Sequence, residues 1–178
     1  MHDDLLSVGT LAVIVMGVSG TGKSTLGAAL AAAIGCPFLE GDGFHAPESV
    51  EKMRAGIPLT DDDRWPWLDR LGAALGSEVA SNGIAVAACS ALKRAYRDRL
   101  RNAIPAPVGF VLMDATREEL LRRLTARTQH YMPASLLTSQ LDTLERAQPD
   151  EPAIALDATR PVPALCEQTI AWLRERFG

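Results

Sequence analysis

One short stretch decides the fold: Gly17-Val18-Ser19-Gly20-Thr21-Gly22-Lys23-Ser24. It has the pattern G-x-x-x-x-G-K-S, which is typical of a phosphate-binding P-loop. Residues 11–16 before it form an unbroken apolar run that predicts a buried strand, and residues 25–34 after it predict a helix. A glycine-rich turn without a ligand is the alternative, but the strand before the motif and the helix after it favour nucleotide binding.

The residue types in this loop suit the binding of a nucleoside triphosphate. Glycines allow a tight turn that brings backbone N–H groups against phosphate oxygens, and the N-terminus of the next helix adds a partial positive charge. Lys23 can reach the β- and γ-phosphates, and the Ser24 hydroxyl can ligate Mg²⁺. The predicted ATP-binding residues of this loop are Gly17, Val18, Ser19, Gly20, Thr21, Gly22, Lys23, Ser24 and Thr25.

Composition narrows the class of protein. The chain has 178 residues, of which 47% are hydrophobic, and this predicts one globular domain over residues 1–178. A net charge of −4 leaves no basic surplus for a nucleic-acid partner. We find no apolar run long enough to span a membrane and no basic start of a signal peptide. The three cysteines have no metal-ligand spacing, which is typical of free thiols in a reducing compartment. We therefore expect a cytoplasmic protein without a membrane or nucleic-acid partner.

Short apolar runs alternate with longer amphipathic segments along the chain. The apolar runs predict strands at residues 11–16, 37–40, 84–89, 108–113 and 153–156. The longer segments predict helices at about 25–34, 46–55, 64–81, 93–102, 116–128 and 133–146, with a last helix that contains Leu165 and Phe177. Strands that are apolar throughout suit a parallel sheet covered on both faces. The expected fold is α/β: a P-loop NTPase-type doubly wound domain, in which a five-stranded parallel sheet is flanked by helices.

Polar residues just after the strands are candidate site residues, because ligands gather at the carboxyl ends of parallel strands. Asp42 follows the second strand, where a carboxylate can face the γ-phosphate and accept a proton from an attacking hydroxyl. The alternative is a turn residue between Gly41 and Gly43 that bonds its own backbone. Its position at a strand end beside the P-loop favours the catalytic role.

Ser90 and Lys93 follow the third strand and are open to two interpretations. They could bind an anionic or hydroxylated acceptor, or Ser90 could cap the next helix while Lys93 is a solvated charge. Four arginines crowd that helix, and we expect most of them to lie at the surface: Arg94, Arg97, Arg99 and Arg101. Asp61, Asp62 and Asp63 follow Thr60 and precede the helix predicted from about Arg64, and we interpret them as its cap and as partners of its dipole in preference to a metal site.

Arg122, Arg123 and Arg127 lie on one predicted helix, and Arg123 and Arg127 share a face of it. A segment of this kind that closes over ATP would stabilise transition-state charge and exclude water. An ordinary basic helix face is the equally weighted alternative. His130, in the loop that follows, favours neither interpretation.

The sequence resembles the bacterial-type gluconokinases, which are small P-loop kinases related in fold to shikimate kinase. Besides the P-loop, two blocks carry most of the specificity of this resemblance. The first block is Gly56-Ile57-Pro58-Leu59 with Asp61-Asp62-Asp63-Arg64 and Pro66-Trp67-Leu68, and the second is Cys89-Ser90-Ala91-Leu92-Lys93 with Tyr96-Arg97-Asp98. Further matching residues are Gly41-Asp42, Phe44-His45, Glu51-Lys52-Met53, Arg123-Leu124, Ala126-Arg127, His130, Ser139-Gln140 and Leu144-Glu145.

The resemblance implies ATP-dependent phosphorylation of D-gluconate on its terminal hydroxyl, with Mg²⁺ and often as a homodimer. It implies that Asp42 is the base, and it places the remaining acceptor-binding residues near the sugar acid: His45, Arg64, Ser90 and Lys93. It assigns Arg123 and Arg127 to a mobile helical lid at about residues 118–146, and residues 157–161 to the neighbourhood of adenine. We therefore predict Lys23, Asp42 and Arg127 as catalytic residues. One departure is Ser49, where the family often has Asn.

Other functions remain as alternatives. A kinase for another small hydroxy acid, such as shikimate, would share the phosphate-binding loop and differ in the acceptor side of the cleft. A nucleotide-switch protein of the GTPase type needs a guanine-reading N-K-x-D segment, which this chain lacks. A binding protein without catalysis is disfavoured because Lys23, Ser24 and Asp42 are all present.

Overall fold

A computed structural model of the protein describes residues 9–126 and 133–178. The strands are β1 Leu11–Met16, β2 Phe38–Glu40, β3 Ile84–Ala88, β4 Val108–Asp114 and β5 Ala153–Asp157. The α-helices are α1 Lys23–Ile34, α2 Pro47–Arg54, α3 Asp61–Asn82, α4 Arg94–Ala103, α5 Arg117–Ala126, α6 Ala134–Thr143 and α7 Val162–Phe177. A 3₁₀ turn, Gly41–Phe44, follows β2. Every strand end agrees with the sequence prediction to within one residue. Among the described helices, none is long and apolar enough to cross a membrane.

The strands form one parallel sheet in the order β2-β3-β1-β4-β5. Strands β2 and β3 lie on one side of β1, and the chain then crosses to the other side of β1 for β4 and β5. This topology confirms the predicted doubly wound α/β fold. In such sheets ligands bind outside the carboxyl ends of the strands where the order reverses, and here the P-loop leaves β1 at that point.

Burial of β1 on both faces explains its uniformly apolar sequence. Successive side chains of a strand point to opposite faces, and every residue of β1 is fully buried. Ala12, Ile14 and Met16 pack in the core beneath α3, whereas alternate residues from Leu11 to Val15 pack in the core beneath α1 and α7. Because full burial of a Leu, Ile or Val side chain contributes about 1.5–3 kcal/mol, this strand is a strongly fixed support for the loop that follows it.

Helix α3 begins at Asp61, earlier than the predicted start near Arg64. The reason is a capping box at Thr60. Its hydroxyl accepts from the Asp63 backbone N–H at 3.2 Å, and its own N–H donates to the Asp63 carboxylate at 2.9 Å. Lys52 Nζ donates to the same carboxylate at 2.9 Å, and these bonds lower the pKa of Asp63 to about 2. Asp63 therefore belongs to the predicted cap, and the described residues contain no cluster of His, Cys, Asp and Glu that could hold a metal ion.

The turn after β2 approaches β3 closely, and this approach fixes the position of Asp42. A Cβ added at Gly41 would lie 2.2 Å from the Ala88 carbonyl oxygen, whereas one added at Gly43 would meet nothing within 4 Å. The Gly41 carbonyl also accepts a hydrogen bond of 2.8 Å from the indole of Trp67, which is buried on α3. The backbone on one side of Asp42 is therefore held by two neighbouring elements.

We predict that Gly41→Ala destabilises the protein by about 2–3 kcal/mol, because the new methyl group displaces the backbone of β3 or of the turn. Gly43→Ala is the matched control, and we expect a change of less than about 0.5 kcal/mol. Urea unfolding of both variants measures the difference. Equal stabilities of the two variants would contradict the close approach at Gly41.

Candidate active site

A cleft of about 240 Å³ opens at the carboxyl ends of β1, β2 and β3, which is a size suited to a small ligand. It brings together polar residues of the P-loop, polar residues predicted to bind the acceptor and polar residues of α6. These residues are Ser19, Lys23, Asp42, His45, Arg64, Ser90, Ser139 and Gln140. Apolar side chains complete the wall, namely Val50, Met53, Ile57, Pro58, Leu59, Trp67, Leu92 and Leu136. Of the predicted acceptor-binding residues, Lys93 is the one that does not line this cleft.

The P-loop has the backbone that its glycines predict. Gly17 has φ of +138°, and a Cβ there would lie 2.8 Å from the Met113 carbonyl oxygen, so other residues are excluded by both conformation and space. Lys23 Nζ donates to the Val18 carbonyl at 3.0 Å, which holds the ammonium over the loop. Helix α1 begins at Lys23 without an acidic residue in its first turn, so its N-terminus is suited to an anion.

Two contacts connect the P-loop to distant parts of the chain. The Gly17 N–H donates to the Ser90 carbonyl at 3.1 Å, which joins the P-loop to the segment after β3. The Ser19 N–H donates to Gln140 Oε1 of α6 at 2.7 Å. Sequence reasoning assigned no role to Gln140, although it was among the residues that carry the family resemblance.

Asp42 and His45 lie side by side at the 3₁₀ turn. Asp42 is exposed to the cleft, and within the described residues its carboxylate has no hydrogen-bond partner, so it is available to a ligand. The His45 ring stacks on Trp67 with centroids 4.0 Å apart, and its Nδ1 is buried without a partner in the described part of the chain. Burial is the main cause that lowers the pKa of His45 to about 4, against an opposing effect of Asp42. His45 is therefore a neutral group at pH 7 that can exchange a hydrogen bond with a hydroxyl.

Arg64 is held at the cleft by a network that the sequence did not predict. Its Nη1 donates to the Tyr96 hydroxyl at 2.7 Å, and that hydroxyl donates to Asp61 Oδ1 at 2.5 Å. Lys93 Nζ donates to the same oxygen at 3.2 Å. Bonds from Tyr96 and Lys93 lower the pKa of Asp61, and the bond to Asp61 raises the pKa of Lys93. One carboxylate thus positions two cations, Lys93 directly and Arg64 through Tyr96, and of these Arg64 lines the cleft.

Arg123 lies against the P-loop from the outside. Its Nη1 donates to the carbonyls of Gly20 and Thr21, both at 3.2 Å, and its Nη2 donates to the Ala158 carbonyl at 2.8 Å. Glu119 accepts from its Nε at 2.9 Å. Arg123 therefore connects α5, the P-loop and the segment after β5. Arg127 and His130 lie outside the described residues, and Arg122 is an exposed partner of Glu119.

A second cavity, of about 520 Å³, lies at the carboxyl ends of β4 and β5. Asp157 and Thr159 line it, as do Asp114, Thr116 and Arg146. The Thr159 N–H and hydroxyl both donate to Asp157, and these bonds lower the pKa of the Asp157 carboxyl. The segment that the resemblance placed near adenine thus borders an open cavity. Ser49 is buried on α2 and does not line the first cleft, which holds Lys23, Asp42 and Arg64.

We predict that His45 makes stability fall on mild acidification. The pKa of His45 is about 4 in the folded protein, below the ordinary 6.5 that it has in an unfolded chain. Between these two values the unfolded chain binds more protons than the folded chain, so stability rises with pH. The contribution of neutral His45 to stability is therefore complete above pH 6.5 and is lost as the pH falls toward 4. Melting temperatures at pH 7 and pH 5 should therefore differ less in His45→Gln than in the wild type or in His130→Gln. The same acid sensitivity in all three would refute the prediction.

Comparison with known proteins identifies the family. A family model described as an AAA domain matches residues 13–148. The gluconokinase of Gluconobacter oxydans is 45% identical over 169 residues, which cover 95% of this chain and 94% of that protein. The crystal structure of a gluconokinase from Sinorhizobium meliloti 1021 matches with a TM-score of 0.85 at 44% identity, and the match covers 96% of this chain and 95% of that chain. An unliganded sugar kinase from Janibacter sp. HTCC2649 has a TM-score of 0.87 at 46% identity, with coverages of 92% and 94%. The chain, whose P-loop residues Ser19 and Lys23 line one cleft together with Asp42 and Arg64, belongs to the gluconokinase family.

Proposed function

We propose that this protein transfers the γ-phosphoryl group of ATP to the terminal hydroxyl of D-gluconate, giving 6-phospho-D-gluconate and ADP. The observation that carries the proposal is the cleft in which Lys23 of the P-loop, Asp42 and Arg64 line one space. Similarity to gluconokinases over nearly the whole length of both chains supports gluconate above other hydroxy acids.

The acceptor side of the cleft matches the chemistry of a sugar acid. The gluconate carboxylate pairs with Arg64, whose guanidinium is already oriented by Tyr96. Hydroxyls along the sugar chain exchange hydrogen bonds with neutral His45 and with Ser90, which line the same cleft. Lys93, held at Asp61, adds positive potential from behind Arg64. The apolar wall from α2 and residues 57–59 excludes water from the space between the substrates.

The transfer step is a substitution at the γ-phosphorus. Asp42 accepts the proton of the terminal hydroxyl as its oxygen bonds to that phosphorus, and the bond from phosphorus to the β–γ bridging oxygen breaks to release ADP. Lys23 and the N–H groups of the P-loop stabilise the charge on the phosphate oxygens. Arg127 serves the same purpose on a lid at about residues 118–146, and Arg123 holds the P-loop backbone at Gly20 and Thr21.

Mg²⁺ fits the residues around the P-loop. Ser24 lies exposed in the first turn of α1, and the described residues offer no acidic cluster that would bind a metal without the nucleotide. A single hydroxyl ligand agrees with the preference of Mg²⁺ for substrate phosphates and water. When bound, the ion neutralises part of the phosphate charge. We also propose a homodimer, as the family resemblance implies. We propose a cytoplasmic location from the composition of the sequence, and the three free cysteines agree with a reducing compartment.

We predict that the purified protein releases ADP from ATP and Mg²⁺ when gluconate is present, and much less with shikimate, glycerate or no acceptor. A coupled ADP-release assay measures turnover, and mass spectrometry identifies the phosphorylated product. Equal release with every acceptor, or release that depends on shikimate, would reject gluconate as the substrate.

We predict that Asp42→Asn and Lys23→Ala each lower kcat by about 10²–10⁴-fold, because they remove the proton acceptor and the phosphate-facing charge. Asp62→Asn is the matched control for the carboxylate, because Asp62 is exposed and lies outside the cleft. Circular dichroism verifies that the variants are folded. Near-normal kcat in Asp42→Asn would remove this residue from the catalytic role.

A further inference from the structure

Arg97 differs from the other arginines of α4, which we expected to lie mostly at the surface. Arg99 and Arg101 are exposed, as predicted, and Arg94 is half-buried, but the Arg97 side chain is 0% exposed and its partner Glu151 is 1% exposed. Arg97 Nε donates to Glu151 Oε1 at 2.6 Å, and Nη2 donates to Oε2 at 3.1 Å. The expectation of a surface position is therefore wrong for Arg97, and the reason is a carboxylate 54 residues further along the chain.

The remaining nitrogen of this guanidinium contacts the segment after β3. Nη1 donates to the carbonyl of Ala91 at 3.0 Å and to that of Leu92 at 3.3 Å. Ala91 has φ of +44°, and among the described residues it is the only one other than glycine with a positive φ. This left-handed conformation costs an L-residue about 1–2 kcal/mol, so it persists only where its surroundings enforce it. Arg97 supplies that enforcement from a fully buried position.

Residues 90–92, which Arg97 holds, contribute both to the wall of the cleft and to a contact with the P-loop. Ser90 and Leu92 line the acceptor cleft, and the Ser90 carbonyl accepts from the Gly17 N–H of the P-loop. The Leu92 carbonyl also accepts from the Glu145 N–H at 2.7 Å. A change in the Ala91 backbone would therefore move a cleft residue and a P-loop contact together.

We propose that Arg97 is a positioning residue for phosphoryl transfer: locked by Glu151, it holds Ala91 in its left-handed conformation and so sets Ser90 and Leu92 against the acceptor and the P-loop. Stability alone does not explain the pair, since apolar residues often replace a buried ion pair without loss. Lysine cannot make the same contacts, because its three donors lie on one nitrogen, whereas Arg97 uses three nitrogens to bond both carboxylate oxygens and two carbonyls. Glu151 is itself fixed, because the Gln148 N–H donates to its Oε2 at 2.7 Å. The identity of the acceptor in this inference rests on the proposed function.

The experiment compares Arg97→Lys with the wild type and with Arg101→Lys, which makes the same change at an exposed position of α4. Steady-state kinetics are measured well below the unfolding temperature, where lower stability does not change the folded fraction. We expect kcat/KM for gluconate to fall at least about tenfold in Arg97→Lys, because small displacements of reacting groups are costly, while the Kd for ATP rises by a smaller factor, because the Gly17–Ser90 bond is one of several that hold the P-loop. Arg101→Lys should match the wild type in both. Unchanged kcat/KM in folded Arg97→Lys would overturn the proposal.

A second variant keeps the test decisive if Arg97→Lys does not fold. Arg97→Met with Glu151→Gln removes the buried charges together and retains an acceptor for the Gln148 N–H. We expect this double variant to fold and to show the same loss of kcat/KM, whereas full activity would overturn the positioning role.

Hydrogen exchange measured without substrate separates this inference from the proposed function. Amides of residues 89–93 and of Gly17 should exchange faster in Arg97→Lys than in Arg101→Lys. If the wild type does not phosphorylate gluconate but this exchange rises, the proposed function fails and the positioning role stands. Unchanged exchange would overturn the positioning role whatever the substrate.

Discussion

Burial of β1 in two cores is the constraint on which the active site depends. The strand is the centre of the sheet, and its alternate side chains pack beneath α3 on one face and beneath α1 and α7 on the other. Because β1 cannot shift without opening both cores, the loop that leaves it has a fixed starting point. Gly17 at that point bonds the Ser90 carbonyl, so the segment after β3 is placed relative to the P-loop by the same strand. Acceptor and nucleotide sides are in this way built on one rigid support.

The charged groups around the cleft are held before any substrate arrives. Arg64 is oriented through Tyr96 and Asp61, Lys23 bonds the Val18 carbonyl, and Arg123 bonds two carbonyls of the P-loop. Groups fixed in this way need little reorganisation during transfer of a charged phosphoryl group, and such preorganisation is usually the largest electrostatic contribution to catalysis. Asp42 is the contrasting case, since its carboxylate is exposed and has no partner in the described part of the chain. In the proposed mechanism this uncommitted carboxylate accepts the proton of the terminal hydroxyl.

Buried polar contacts in this protein serve geometry more than stability. The Arg97–Glu151 pair removes two charges from water, and its net contribution to the free energy of unfolding is small or unfavourable unless every donor finds an acceptor. Here the guanidinium satisfies that condition through the carbonyls of Ala91 and Leu92, at the cost of a left-handed alanine. His45 is a second example. Its buried Nδ1 has no partner among the described residues, which lowers stability, but its neutral ring lines the cleft.

The sequence by itself determined the features that depend on neighbours along the chain. Apolar runs placed the strands and the Gly17–Ser24 motif placed the P-loop, because burial period and turn geometry act within a few residues. The cap at Thr60 is also local, but the predicted start of α3 near Arg64 was three residues late because the capping box includes Asp63. The tertiary structure decided which side chains meet. Arg64 and Tyr96 are 32 residues apart, Arg97 and Glu151 are 54 apart, and Ser19 and Gln140 are 121 apart. The sequence left Lys93 open as an acceptor-binding residue or as a solvated charge, and the packing of α3 against α4 puts it on Asp61. Local sequence sets where a side chain begins, and only the folded chain sets what lies within its reach.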